Sequence, residues 1–138
     1  MAYEISKGWP SQGAIDESLV PATETVEFMK SLKGKVINLA STGKVGLATY
    51  TGDTKTVGIP FFCFDYGHPR KQVLGIKSAC VIVCDSDHYD SGSYTVGATV
   101  TANAGKFKVA GEGDGVVGKV LNFDAVSGKL RVLWTATS

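Results

Sequence analysis

The sequence predicts a mainly β protein: an antiparallel β-barrel or sandwich of about eight to ten short strands, with an extended N-terminal arm and little helix. Three observations carry this. The C-terminal third is a series of alternating apolar and polar runs bounded by Gly, Asn or Asp, such as Tyr94–Thr101, Ala104–Ala110, Gly115–Phe123 and Gly128–Trp134. The middle holds two continuous apolar runs, Val57–Phe64 and Ala79–Cys84, of the kind found in strands covered on both faces. The 17 glycines against four prolines suit a chain with many tight turns and bulges.

Residues 1–22 read as the arm, and residues 23–138 as a single β-rich domain. In the arm, Trp9, Pro10, Gly13 and Pro21 resist regular structure. Tyr3, Ile5, Trp9, Ile15, Leu19 and Val20 are nevertheless too apolar for a free tail. Two fates are open: docking on a neighbouring molecule by adding a strand to its sheet, or folding back on its own domain. Thr23–Gly34 has a Thr cap, early acids, late lysines and a closing Gly, which suits a short helix, although Thr25, Val26 and Phe28 also allow a strand.

An internal echo follows. Gly34–Val45 and Gly118–Leu130 share the order strand, polar turn with Gly-Lys, strand, with one inserted residue. Two copies are too few for a solenoid, so reuse of one hairpin pattern is the expectation. Two loops stand out beside these strands. Asp65–Gln72 is polar and aromatic, and Asp85–Gly92 is acidic.

No constellation matches a catalytic or metal signature. Cys80 and Cys84 would share one strand face roughly 13 Å apart, too far to bind one zinc with His88 or to form a disulfide. Buried thiols are expected, with Cys63 able to join Cys80 or Cys84 across strands. Asp85, Asp87 and Asp90 lack the rest of a calcium loop. No serine sits in a Gly-x-Ser-x-Gly elbow, so Asp65, His68, Ser86, His88 and Ser91 make no recognisable triad. Gly111–Gly118 leads into a strand instead of a helix, which favours a hairpin turn over a phosphate loop. No cofactor and no enzymatic activity are expected.

Charge and hydropathy narrow the partners. A net charge of +1 is far from the concentrated basic face of a nucleic-acid binder. No apolar run approaches the roughly 20 residues of a membrane span. Met1–Pro10 lacks the basic start and apolar stretch of a secretory signal, and three cysteines make no disulfide framework. Charge alternates by segment: net −2 over residues 1–33, +4 over 34–84, −3 over 85–115 and +2 over 116–138. Such alternation suits a solvated surface or unlike faces meeting in an assembly.

The order Tyr94-Thr-Val-Gly-Ala-Thr-Val-Thr101, Gly105-Lys-Phe-Lys-Val-Ala110, Asp114-Gly-Val-Val-Gly-Lys-Val-Leu121 and Gly128-Lys-Leu-Arg-Val-Leu-Trp134 resembles the small capsid proteins of tailed bacteriophages. Within them it is most similar to head decoration, or cement, proteins, which share a role with the lambda type. The resemblance spans residues 34–136 and is clearest over 94–134. It implies a virion structural protein, made in the host cytoplasm and bound to the outer face of an icosahedral shell. The partner would be the major capsid protein, and the chain itself a homo-oligomer, with a trimer favoured. Tyr3, Ile5, Trp9, Pro10 and Ile15 are the expected arm contacts, and Tyr66, His68, Arg70 and Tyr89 the expected loop contacts. A carbohydrate- or host-surface-binding module using Tyr66, His68, Tyr89 and Trp9 is the alternative.

Overall fold

The computed structural model describes residues 3–7, 17–22, 25–52, 55–67, 72–76 and 80–135. Over these the chain is mainly β, in two bodies joined along one seam. The first is a six-stranded antiparallel sheet of β1 (Tyr3–Lys7), β7 (Cys80–Cys84), β11 (Lys129–Trp134), β10 (Gly118–Asp124), β8 (Thr99–Asn103) and β9 (Lys106–Val109), in that spatial order. The second is a closed five-stranded barrel of β2 (Glu17–Pro21), β4 (Lys44–Leu47), β3 (Val36–Leu39), β5 (Ile59–Gly67) and β6 (Gln72–Ile76). Its pairs are antiparallel except β2 with β4, which run parallel.

The stretch expected as an arm thus supplies a strand to each body. Tyr3 lies opposite Cys84 and Ile5 opposite Ile82, while Ser18 lies opposite Leu74. These two strands fold back on their own chain. Trp9, Pro10 and Ile15 lie outside the described residues.

Helix α1 (Val26–Leu32) bears out the helical reading of the segment after the arm. Thr25 caps it, its Oγ1 accepting from the Phe28 N–H at 3.2 Å. At seven residues it is too short to persist alone. Met29 and Leu32, both fully buried, hold it by packing with Leu19, Ile37, Val45, Phe61, Cys63 and Val73 in the barrel core.

Strand alternation then builds the second core. On β3, Ile37 joins the barrel interior while Val36 faces the sheet; on β5, Phe61 and Cys63 point inward and Phe62 outward. This two-sided burial is why the Phe61–Phe64 part of the apolar run needs no polar alternation. Outside the barrel, Phe62 meets Phe107 at 6.2 Å and Trp134 at 6.1 Å between ring centroids. Cys80, Ile82, Cys84, Val120, Leu130 and Val132 complete that core from the sheet. Cys63 is therefore in a different core from Cys80 and Cys84, and the cross-strand thiol pair does not form.

Backbone hydrogen bonds lock the seam. Val36 N–H donates to Gly105 O at 2.8 Å, Gly105 N–H to Ala48 O at 2.8 Å, and Tyr50 N–H to Ala102 O at 2.8 Å. The β8–β9 hairpin turns through Ala104 (φ 49°) and Gly105 (φ 84°), as a two-residue turn between twisted strands requires. Gly105 abuts the barrel so closely that an added Cβ would lie 2.5 Å from a Leu47 methyl.

The internal echo is a pair of hairpins, β3–β4 and β10–β11, one in each body. The inserted residue widens the turn: Gly43 N–H bonds Ala40 O, whereas Gly128 N–H reaches back one residue further to Asp124 O. The Gly111–Gly118 stretch is a correction. β10 pairs with β8 and not with β9, so this segment crosses over the hairpin instead of closing one.

Candidate interaction surface

The residues singled out by sequence do not converge. Tyr3 and Ile5 lie in edge strand β1, and Tyr66 lies near the end of β5, opposite Val73. His68 and Arg70 fall outside the described residues. Tyr89, expected as an exposed loop contact, is only 9% accessible. Its hydroxyl donates to Gly128 O at 2.6 Å, and its ring meets Tyr94 and Phe123 edge-on at 5.4 and 5.8 Å. An aromatic cluster under the acidic loop has claimed it.

The acidic loop is itself structural. Asp85 Oδ1 accepts from the Asp87 N–H at 3.0 Å, and Asp90 Oδ2 accepts from Asn103 Nδ2 at 2.9 Å. Burial pushes the thiols of Cys80 and Cys84 up to about 11 and about 12, so both stay protonated and unreactive at neutral pH. In the crossover segment, Asp114 accepts from the N–H groups of Gly111 (2.8 Å) and Gly52 (3.0 Å). Those two bonds hold its carboxyl below the usual carboxylate range.

A different segment has the character of a contact surface. The 55–60 loop exposes Val57 (85%) and Ile59 (44%), and Val116 (49%) faces it from the crossover. Thr56, Gly58, Pro60 and Val116, with Tyr50 and Val117, line a shallow depression of about 260 Å³. A second depression of about 350 Å³, lined by Asn38, Thr42, Lys44 and Leu47 among others, shares Thr56 with the first. The apolar run beginning at Val57 is expected to be buried throughout; instead Val57 and Gly58 precede β5, and Ile59, its first residue, opposite Leu39, is still exposed at the barrel's end of that strand.

This exposed loop is held in place. Thr56 Oγ1 donates to Thr49 O and accepts from Thr49 N–H at 3.0 and 2.9 Å, while Thr56 N–H donates to Thr49 O at 2.7 Å. Buried Asn38 donates through Nδ2 to Val57 O at 3.0 Å, and its Oδ1 accepts from Tyr50 Oη at 2.8 Å. Burial raises the Tyr50 phenol to about 12, keeping it a donor. Lys55 Nζ reaches Gly113 O, tying the loop to the crossover. Gly58, at φ 150°, is needed because a Cβ there would lie 2.2 Å from Leu39 O.

Five hydrogen bonds to Lys55, Thr56 and Val57 thus fix a loop that holds the Val57 side chain in water. Keeping Val57 in water forgoes the stabilisation that burying a valine gives, about 1.5–3 kcal/mol. Rigidly presented apolar side chains beside a depression are what a partner can cover at small entropic cost. Sequence reading overlooked this site because Val57, Ile59 and Phe61 to Phe64 form one apolar run; Gly58 and Pro60 were the signal that its start is not strand interior. Among the described residues no helix is long and apolar enough to cross a membrane. Comparison with protein-family models, curated proteins and solved structures finds no match to this chain.

Proposed function

We propose that this chain is a virion structural protein that binds the outer surface of an icosahedral phage capsid and reinforces it by bridging capsomers. The observation that carries the reading is the pinned, solvent-facing apolar rim of Val57, Ile59 and Val116 on a stiff two-body β scaffold. The sequence stretch that resembles head decoration proteins, 94–134, supports it, since it corresponds to the hairpin β8–β9, the crossover and the hairpin β10–β11. The mechanism is area burial multiplied by symmetry. A contact of standard size covers about 1,600 Å². An oligomer, with a trimer favoured, engages several shell sites at once and converts weak contacts into durable attachment.

The carbohydrate-binding alternative loses a contact, because the Tyr89 ring is packed inside. The arm's role also needs a gentler test than truncation. Removing residues 2–20 would delete β1 and most of β2, opening the barrel and exposing the edge of β7.

The direct test is co-sedimentation of the purified protein with expanded capsids assembled from a tailed-phage major capsid protein. Saturable binding at a ratio fixed by shell symmetry, with a raised capsid melting temperature, is the expected result. Absence of binding at micromolar concentration, with both components folded, would refute the reading.

A further inference from the structure

We infer that the contact between Lys35 and His88 is an acid-released latch across the seam between barrel and sheet. Lys35 lies just before β3, and its Nζ is 2.9 Å from Nδ1 of His88, which is 1% exposed. An ammonium has donors and no acceptor, so Nδ1 must carry the lone pair. The contact therefore exists only while the imidazole is neutral, with its proton on Nε2. Protonation at Nδ1 removes the acceptor and sets two cations side by side.

The surroundings oppose that protonation on balance. Burial holds the His88 pKa below its ordinary value, and the Lys35 charge pushes the same way. Asp85 and Asp87 on the turn and the Gly34 backbone pull in the other direction. Lys35 is lowered by its own burial and by Lys106 on β9, against Asp87, Asp85 and Cys84.

The latch is wired into the backbone on both sides. His88 O accepts from Phe107 N–H at 3.0 Å, and Asp90 N–H donates to Phe107 O at 2.8 Å, so the 88–90 segment pairs with β9. On the barrel side, Lys35 O accepts from Cys63 N–H at 2.9 Å and Gly34 N–H donates to Cys63 O at 2.8 Å. A charged His88 can reach water only if the 85–90 turn swings off β9, carrying Tyr89 out of its cluster. Because the folded pKa is depressed, the unfolded chain takes up the proton first. The stabilisation is complete above about pH 6.5 and is lost as pH falls toward the folded value. This inference stands independently of the capsid reading.

The test compares the full chain with His88→Gln, which keeps a polar side chain at this position but does not titrate. Urea unfolding from pH 7.5 to 4.5 should show the wild-type folding constant dropping, relative to His88→Gln, by about tenfold per pH unit below 6.5 until His88 is charged. Amide exchange over residues 85–90 should speed up in acid in the wild type alone. If His88→Gln fails to fold, imidazole NMR titration in a His68→Gln background decides: His88 should titrate below 6.5, and Lys35→Met should move it upward. Identical acid dependence in wild type and His88→Gln, or a His88 that titrates at 6.5 or above, would overturn the latch.

Discussion

The 55–60 loop and the 85–90 turn are both stitched to the body by hydrogen bonds, yet they hold their large side chains in opposite directions. In the first, Asn38 and Thr49 grip the backbone and Thr56, leaving Val57 and Ile59 in solvent. In the second, the backbone pairs with β9 and aims His88 and Tyr89 into the seam and the aromatic cluster beneath it. The difference lies in which face the anchoring bonds leave free. A segment fixed through its main chain to a buried amide must turn its side chains away from that amide. A segment bridged to β9 at Phe107 is drawn against the body, and the consecutive side chains of His88 and Tyr89 are both buried there. One loop leaves its apolar side chains in water, and the other is part of the interior.

Four substitutions would break or sharpen this contrast. The largest effect belongs to the inward turn: Tyr89→Ala should cost about 3–5 kcal/mol in urea unfolding, since it empties an aromatic site and strands the Gly128 carbonyl. A loss below 1 kcal/mol would mean that Tyr89 is a surface residue after all. Next, Asn38→Ala should cost about 1–3 kcal/mol by leaving Tyr50 Oη and Val57 O without their partner. It should also raise amide exchange over 55–59 without affecting 85–90. Replacing Ala104 by Asn suits the left-handed backbone at the β8–β9 turn and should raise stability by about 0.5–1 kcal/mol. An unchanged or lower melting temperature would contradict that turn geometry. Smallest of all, Val57→Asp should leave stability within about 0.5 kcal/mol of wild type, because nothing in the folded chain covers that side chain.

Much of the fold was legible because strand periodicity and glycine punctuation are local signals. The hairpins at Gly43 and Gly128 and the buried Trp134 follow from alternation and glycine punctuation, and the strand Cys80–Cys84 from its continuous apolar run. The split into two bodies was not legible. It depends on β2 pairing with both β4 and β6, and no local pattern in Glu17–Pro21 specifies those distant partners. The path of Gly111–Gly118 was misread for the same reason, since a glycine-rich segment between two strands looks alike whether it closes a hairpin or crosses one. For the candidate site, hydropathy misled in both directions. Val57 and Ile59 are apolar yet outside, and His88 and Tyr89 are flanked by Asp85, Asp87 and Asp90 yet inside. Residue type sets the cost of exposure, but the long-range partners Asn38 and Phe107 decide which face is presented.

The most direct measurement is capsid co-sedimentation of the double variant Val57→Asp, Val116→Asp beside the wild type, with melting temperatures taken on both. An unchanged melting temperature and a loss of capsid binding of at least tenfold are expected. A folded double variant that binds capsids as tightly as the wild type would contradict the assignment of this rim as the contact surface.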